Sequence, residues 1–360
     1  MKQKYYRLNK ILKHGAKYNM IFGERSNGKT FAVLEYGLNN YLKTGAQMAI
    51  VRRWADDFKG NGGKTMFASV VAAGVLKKAG CVWTDVWYQA GAWYLCWYDE
   101  NNNRITDERP FAYAFGISIM ERYKSTSYPG ITTILFDEFL TRSVYIPDEF
   151  ILFCNILSTI IRERDNVLIF MCGNTVNKYC PYFSEMGLNH VRDMKPGDID
   201  VYNYGDSDLK VAVEYTLPNA EGKKSDTYFA FDNPKLSMIT SGSWEIGIYP
   251  HLPEKYKPKH VLYTFFICFD GDILQCEIVA LPDKMFLFIH RKTTELKEPD
   301  SDLIFSQDFD SRPNWRRNIL KPTDKISRKI YDIFKADKVF YADNEIGEIV
   351  QNYIQWCNKN

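Results

Sequence analysis

The sequence has no long hydrophobic run, no paired cysteine motif and almost no net charge. Its longest apolar-rich stretch, residues 150–161, is interrupted by three polar residues, well short of the roughly 18 apolar residues that a membrane span needs. Its eight cysteines form no Cys-x-x-Cys pair and no spaced Cys/His set, which argues against a zinc site or a disulfide framework. A net charge of +2 excludes a basic nucleic-acid coat. The first ten residues lack the apolar core of a signal peptide, so we expect reduced thiols, no membrane partner and a cytoplasmic location.

The charge that is present is unevenly distributed. Residues 1–80 carry a net charge of +11 and the remaining residues a net charge of −9. A second basic cluster lies in residues 312–330, and such patches can meet phosphate without making the whole molecule basic. A solvated helix face is the alternative. The cluster consists of Arg312, Arg316, Arg317, Lys321, Lys325, Arg328 and Lys329.

Strands and helices alternate in the first part of the chain. Short apolar runs predict buried strands, and apolar residues at helical spacing predict the helices between them. This alternation indicates an α/β fold with a mostly parallel sheet. The predicted strands are 18–22, 47–52, 132–136 and 167–172, and the predicted helices are 29–41, 66–78 and 147–161.

The segment 81–117 is dense in alternating aromatic residues, which predicts antiparallel hairpins that belong to the core or contact DNA or a neighbouring subunit. Polar and turn-forming residues then predict a linker module at 201–235. Beyond it, a strand meander and two amphipathic helices indicate a separate α+β domain. We therefore expect an α/β domain at 1–200, the linker, and a C-terminal domain at 236–360.

Residues 23–30 match the pattern GxxxxGK[ST] in full, after a predicted strand and at the start of a predicted helix. Backbone N–H groups of such a loop point at phosphate, and the helix N-terminus adds its positive end. Lys29 would bridge the β- and γ-phosphates of ATP, and the Thr30 hydroxyl would bind Mg²⁺. The loop residues are Gly23, Glu24, Arg25, Ser26, Asn27, Gly28, Lys29 and Thr30.

Two acids follow the strand 132–136 directly. The carboxyl ends of parallel strands meet at the ligand-binding edge of an open α/β sheet, so Asp137 would hold the metal and Glu138 would orient or deprotonate the attacking water. The alternative is a pair of acids that caps the next helix. Asn174 follows the next strand, either as a sensor of the γ-phosphate or as a turn residue.

Six blocks in order resemble the DNA-packaging motor ATPases of phi29-like short-tailed phages. The resemblance covers most of residues 15–190 and fades after about 200. It implies an additional-strand P-loop ATPase near the FtsK/HerA translocases. The blocks are GERSNGKT at 23–30, VRRW at 51–54, YKSTSYP at 123–129, TTILFDEF at 132–139, IIRER at 160–164 and GNTVNKYCPYF at 173–183.

The resemblance further implies a ring of identical subunits, usually five, at the portal vertex of an empty procapsid in the host cytoplasm. Such a ring hydrolyses ATP and drives double-stranded DNA inward, in some members together with a structural packaging RNA. Arg162 matches the arginine that reaches a neighbour's γ-phosphate, with Arg164 as the nearby alternative, and Lys124 matches a second basic residue at the subunit boundary. From the residues alone, a solvated helix end paired with Glu163 and Asp165 remains open.

The resemblance also implies a C-terminal domain like RNase H that has lost its catalytic acids. A two-metal nuclease needs converging carboxylates, and the spacing of the acids favours turn and cap roles. The leading hypothesis is a DNA-translocating ATPase, in which Arg52 and Arg53 contact DNA or lie beside the nucleotide. The alternatives are a packaging ATPase with an active nuclease and a docking module that binds nucleotide without hydrolysis. The acids are Asp270, Asp272, Asp308, Asp310, Asp343 and Glu345.

Overall fold

The computed structural model divides the chain into two compact units, Met1–Glu245 and Ile246–Asn360. It describes residues 5–359 apart from 125, 143, 144, 206, 219–243, 245 and 246. Each unit is built on its own sheet.

A ten-stranded sheet forms the first unit, in the order β3-β4-β6-β2-β7-β8-β1-β10-β9 with β5 on β4. The six central strands of this order, β6-β2-β7-β8-β1-β10, are parallel to one another, and the strands at the two ends of the sheet pair antiparallel. The central strands are apolar on both faces because helices and loops cover both. The strands are β1 (Tyr18–Gly23), β2 (Gln47–Arg52), β3 (Asp85–Gln89), β4 (Ala92–Tyr98), β5 (Arg104–Thr106), β6 (Ala112–Gly116), β7 (Ile131–Asp137), β8 (Leu168–Asn174), β9 (Ile199–Asn203) and β10 (Lys210–Tyr215).

Six α-helices of this unit are described: α1 (Lys29–Thr44), α2 (Asn61–Thr65), α3 (Ala68–Ala72), α4 (Val75–Lys78), α5 (Glu149–Ile161) and α6 (Pro181–Glu185). The single helix predicted at 66–78 is wrong. The segment there forms α3 and α4, because Gly74 takes a left-handed conformation with φ 72° between them. Glycine adopts that conformation at little cost and thereby ends a helix.

The aromatic segment forms the predicted hairpins, β3–β4 and β4–β5, and part of it is buried in the core. Trp93 is fully buried, donates its indole N–H to the Gly63 carbonyl at 2.7 Å, and packs edge-on against Phe58 and Phe67. A buried indole usually finds such a hydrogen-bond partner. This geometry favours the core interpretation of the hairpins.

The predicted linker at 201–235 is wrong in its first part. The strand β10 pairs in parallel with β1, and β9 pairs antiparallel with β10, so residues 199–215 extend the first sheet. Val211, Ala212 and Val213 are buried, which explains why this short apolar run prefers the sheet to solvent. Residues 219–235 lie outside the described part of the chain, and the division between units falls at 245/246 rather than 235/236.

The second unit has a six-stranded sheet in the order β15-β14-β11-β12-β13-β16. The predicted meander is confirmed as β11–β12–β13, while β14 joins β11, and β16 joins β13, in parallel. Two helices, α7 (Lys325–Lys335) and α8 (Asn344–Lys359), follow as predicted. The strands are β11 (Val261–Phe269), β12 (Asp272–Ala280), β13 (Met285–Arg291), β14 (Ile304–Ser306), β15 (Trp315–Arg316) and β16 (Val339–Tyr341).

In the described residues, no helix combines the length and the apolar character that crossing a membrane requires.

Candidate functional site

The carboxyl ends of β1, β7 and β8 meet at one edge of the first sheet. Gly23 at the end of β1 lies in register with Asn174 on β8, and Asp137 on β7 lies in register with Cys172. A cavity of about 350 Å³ opens at this edge, lined by residues 26–31 and by the ends of β2, β7 and β8. The parallel strand order therefore brings together polar residues that are more than a hundred positions apart.

The loop between β1 and α1 is held in an unusual backbone conformation. Gly23 and Gly28 have φ values of 150° and 93°, which side chains rarely adopt. A Cβ placed on Gly23 would lie 2.1 Å from the Thr216 hydroxyl oxygen, so only glycine fits there. Buried Asn27 donates to that same hydroxyl oxygen at 2.8 Å, and its carbonyl accepts from the Tyr6 N–H at 2.8 Å. The loop is therefore anchored from two sides.

The Lys29 side chain points back into this loop and is only 5% exposed. Its Nζ donates to the Glu24 carbonyl at 2.6 Å and to Asn27 Oδ1 at 3.1 Å, and lies 3.4 Å from Asn174 Oδ1. Burial lowers the pKa of Lys29 to about 8, because the charges of Asp137 and Glu24 offset only part of the loss of water around the ammonium. An anion in the cavity would supply the missing negative charge.

Asp137 is buried at the end of β7, and both of its carboxylate oxygens are engaged. Oδ1 accepts from the Thr30 hydroxyl at 2.7 Å, and Oδ2 pairs with Arg52 Nη2 at 2.6 Å. A hydroxyl and a carboxylate side by side match the oxygen ligands that Mg²⁺ prefers. Arg52 Nε is buried at the same cavity and has no hydrogen-bond partner within the described chain, so the site holds an unused donor.

Glu138, the second acid, follows β7 with its side chain exposed at the cavity and with a φ of 60°. That left-handed conformation is uncommon for a residue with a side chain and often marks a functional turn. The Glu138 carbonyl lies 3.3 Å from Arg53 Nη1, and the Phe139 carbonyl accepts from Arg53 Nη2 at 2.9 Å. Arg52 therefore lines the cavity, and Arg53 is buried behind the turn that carries Glu138, which favours the nucleotide alternative over DNA contact.

Reasoning from the sequence missed the partner of Arg53, because no local pattern points to it. Glu149, the first residue of α5, is buried and binds Arg53 with both carboxylate oxygens, at 2.7 and 2.8 Å. Nearly a hundred positions separate the two residues in the sequence. Arginine and glutamate are usually exposed, so nothing in the sequence marks either of them as buried. Only the sheet order brings them together.

Arg164 and Arg162 have very different surroundings at the end of α5. Arg164 donates to four backbone carbonyls at 2.6 to 3.2 Å, those of Tyr128, Pro129, Ile131 and Ile160. Burial without a carboxylate lowers the pKa of its guanidinium. The side chain therefore holds the segment before β7 against the end of α5.

Arg162 is exposed, has a φ of 51°, and makes one long contact, 3.4 Å from Nη2 to the Thr126 carbonyl. In the part of the chain that is described, it forms no ion pair with Glu163 or Asp165, the partners that the alternative required. Lys124, two residues before Thr126, is half exposed and pairs with Glu121 at 2.6 Å. Lys124 and Arg162 thus approach the same short segment.

The acids of the second unit have local partners. Asp272 pairs with Arg291, Asp310 pairs with Arg312 at 2.7 Å, and Asp343 accepts the Ile346 N–H at 2.9 Å at the start of α8. Within the described residues, no group of three or more His, Cys, Asp or Glu side chains is arranged to hold a metal ion. The turn and cap roles expected for these acids agree with these contacts.

The basic cluster 312–330 divides into paired and exposed residues. Arg312 also pairs with Asp300 at 2.9 Å, and Arg316 lies 3.4 Å from Asp324, which caps α7. The remaining charge includes three exposed side chains on α7, those of Lys325, Arg328 and Lys329.

A family model described as "Podovirus DNA encapsidation protein (Gp16)" matches residues 1–70 and 102–216, slightly more than half of the chain. The DNA packaging proteins of Bacillus phages PZA and phi29 are each 28% identical over 273 residues, which is 75% of this chain and 74% of each relative.

Two solved motor structures share the fold. The chain is similar to the Phi-28 gp11 DNA packaging motor, with a TM-score of 0.53 and 18% identity over 99% of this chain and 96% of that one. It is also similar to a subunit of the bacteriophage phi29 viral genome packaging motor assembly, with a TM-score of 0.57 and 18% identity over 99% of both chains. At 18% identity these similarities show the fold of the two units. The family to which the chain belongs is shown by the match to the family model.

Proposed function

The chain belongs to the podovirus DNA encapsidation protein (Gp16) family and is a DNA-packaging motor ATPase of the phi29-like type, and from this premise we propose how its residues work. The resemblance predicted from six sequence blocks is thereby confirmed. We propose that residues 23–30 and 137–138 form one ATP site. The observation that carries this is the 2.7 Å hydrogen bond between Thr30 and Asp137, which are 107 positions apart.

Each residue has a role that follows from its position. Lys29 binds the β- and γ-phosphates, and the ligand replaces the loop carbonyl that its ammonium now contacts. Thr30 and Asp137 would hold Mg²⁺, which supplies charge neutralisation on the phosphates. Glu138 orients and deprotonates the attacking water, and Asn174, 3.4 Å from Lys29, contacts the γ-phosphate. The residues present fit this assignment because the cavity is lined by the oxygen ligands of Thr30 and Asp137 together with the cations of Lys29 and Arg52.

Arg162 acts on the nucleotide of a neighbouring subunit. Its contact with Thr126 places it before the first residue of β7, whereas Asp137 is the last. Seven strand residues span about 20 Å, which an arginine side chain cannot cross to reach its own cavity. Arg164 is engaged with four carbonyls and is the structural residue of the pair. An arginine supplied in this way stabilises the charge of the transition state and couples hydrolysis to the neighbour's position.

Lys124 works at the same boundary between subunits. Within the described residues its exposed ammonium forms an i,i+3 pair with Glu121, which contributes little to stability and exchanges readily. Subunits that complete one another's sites form a closed ring, and family membership favours five of them. This assembly engages the portal of an empty procapsid in the host cytoplasm, with double-stranded DNA as its substrate.

The second unit is proposed to be an RNase H-like domain without nuclease activity. The meander β11–β12–β13, extended in parallel by β14 and β15 beyond β11, supports that fold. The pairs and caps formed by Asp272, Asp310 and Asp343 argue against an active nuclease. Exposed residues on α7 would bind DNA or a packaging RNA through phosphates, without reading bases.

The experiment compares Lys29→Ala with Glu138→Gln. Lys29→Ala removes the phosphate contact, and we expect it to abolish nucleotide binding. Glu138→Gln keeps the shape of the side chain and removes the base, so we expect binding to persist while turnover falls by about 10²–10⁴-fold. Fluorescent ATP binding and phosphate release measure the two effects. Rapid hydrolysis by Glu138→Gln would show that this residue does not act as the base. The alternative that the protein is a docking module predicts that the wild type does not hydrolyse ATP at all.

A further inference from the structure

A buried ion pair lies behind the turn that carries Glu138. Arg53 and Glu149 are 6% and 2% exposed, and two nearly parallel contacts of 2.7 and 2.8 Å join them. Both carboxylate oxygens have a further donor, since Tyr182 donates its hydroxyl to Oε1 at 3.0 Å and the Ile146 N–H donates to Oε2 at 2.8 Å. The ring of Tyr145 covers the guanidinium, with its centroid at 4.8 Å. Such complete pairing is what a charge needs in order to remain buried.

The same guanidinium also reaches the turn after β7. Its Nη1 and Nη2 approach the carbonyls of Glu138 and Phe139, at 3.3 and 2.9 Å. The Phe139 N–H donates to the Cys172 carbonyl at 3.2 Å, and the Phe139 ring is fully buried. The turn is therefore held from both sides of its backbone at Glu138, which, like Ser26 in the loop, combines a side chain with a left-handed φ.

The geometry of β2 separates the two adjacent arginines. Arg52 is the last residue of β2 and contacts Asp137, whereas Arg53, one position later, contacts Glu149 on the other face of the sheet. Successive residues of an extended segment point to opposite faces. One arginine thereby meets the proposed metal ligand, and the other meets the backbone of the proposed base.

We propose that the Arg53–Glu149 pair is a positioning device for Glu138, which fixes its backbone so that the carboxylate meets the attacking water. Arg53 touches no reacting atom and acts only through Glu138, so this inference rests on the role given to Glu138 above. A planar guanidinium suits the task because Nε and Nη2 bind the carboxylate along one edge, while further N–H groups of Nη1 and Nη2 are directed at the two carbonyls. Lysine at this position would keep the positive charge but could not bind the carboxylate with two nitrogens and the carbonyls at the same time.

The test uses Arg53→Lys in two backgrounds, wild type and Glu138→Gln. In the wild type we expect kcat for ATP hydrolysis to fall by roughly 10- to 100-fold, since a misplaced base loses part of its contribution. The Kd for a fluorescent ATP analogue should change by less than about threefold, because Arg53 does not line the phosphate loop. In the Glu138→Gln background, where no base remains to be positioned, Arg53→Lys should not slow single-turnover hydrolysis of radiolabelled ATP any further.

Two further variants control for folding. Tyr182→Phe removes one hydrogen bond to Glu149 without changing the packing, and we expect a smaller fall in kcat with the same unchanged Kd. Lys284→Met breaks an exposed pair with Glu254 in the second unit, and it should leave both values unchanged. Thermal unfolding of each variant identifies any loss of folded protein.

The outcomes separate the two claims. An inactive Glu138→Gln protein together with a fully active Arg53→Lys protein would overturn the positioning role and leave the proposed function intact. Equal slowing by Arg53→Lys in both backgrounds would also overturn it, because the effect would then not pass through Glu138. If Glu138→Gln hydrolyses ATP at the wild-type rate, both the role of Glu138 and this inference fail.

Discussion

Nucleotide affinity should fall steeply in alkaline solution because of one buried lysine. Burial lowers the pKa of Lys29 to about 8 in the nucleotide-free protein. A bound triphosphate places several negative charges beside the ammonium and raises its pKa again. Above pH 8, binding must therefore be accompanied by proton uptake at Lys29. Below about pH 7 the side chain is protonated in both states, so it contributes no pH dependence there.

The size of the effect follows from the pKa of the free site. The protonated fraction of Lys29 falls from roughly three quarters at pH 7.5 to about 3% at pH 9.5, if the pKa is about 8. Provided that the bound lysine stays protonated, the apparent Kd should rise by roughly 25-fold over this interval. The terminal phosphate of ATP is ionised throughout it, so the ligand adds little of its own.

The assay is a titration with a fluorescent ATP analogue at half-unit steps from pH 7.5 to 9.5, at constant ionic strength and Mg²⁺. The matched variant is Lys29→Arg, whose guanidinium stays charged over the whole range. It should bind with a nearly constant Kd, whatever its absolute affinity. A wild-type Kd that stays within twofold between pH 7.5 and 9.5 would refute the reasoning, and so would an equal slope in Lys29→Arg.

Three other expectations can be measured directly. Arg164→Met should lower the free energy of unfolding by roughly 2–3 kcal/mol in urea, because four carbonyls lose a charged donor, whereas Arg162→Met should change it by less than about 0.5 kcal/mol. Equal effects of the two variants would contradict the distinction between them. Gly23→Ala should prevent tight nucleotide binding, since its methyl group would collide with the Thr216 hydroxyl; unchanged affinity would be contrary evidence. Binding of double-stranded DNA should weaken linearly in log Kd with log salt and ignore sequence, and a strong preference among oligonucleotides at fixed salt would count against backbone contacts.

The loop between β1 and α1 could be predicted because its sequence pattern is local. The glycines at 23 and 28 and the Lys29–Thr30 pair lie within eight consecutive residues. The strand before them is predicted by a short apolar run, and the helix after them by apolar residues at helical spacing. Asp137 followed from the rule that parallel strands end at one edge of the sheet. The hydrogen bond between Thr30 and Asp137 is the outcome of that rule.

The linker prediction failed because a polar, turn-rich stretch lies directly before a short buried strand. Residues 195–209 are rich in turn-forming residues, and their polarity outweighed the short run of Val211–Tyr215, which is buried beside β1. A polar loop and the buried strand β10 follow each other within a few residues here. Composition averaged over such a window hides the strand.

The contacts of the arginines lay beyond sequence reasoning altogether. The adjacent residues Arg52 and Arg53 differ in role because successive residues of an extended segment point to opposite faces of the sheet, and the buried partner Glu149 lies in a distant helix. The choice between Arg162 and Arg164 likewise depends on which guanidinium finds backbone carbonyls to bind. These long-range hydrogen bonds and ion pairs depend on how β2, β7 and α5 pack together, and no local sequence pattern predicts them.

The proposal that neighbouring subunits complete one catalytic site is tested most directly by mixing two inactive variants. Lys29→Ala subunits lack the phosphate contact and keep Arg162, whereas Arg162→Ala subunits keep a complete loop and lack the arginine. In assembled rings the two should together regain ATP hydrolysis, with a maximum at intermediate mixing ratios and none for either variant alone. Rings that assemble from both variants and stay inactive at every ratio would contradict action in trans.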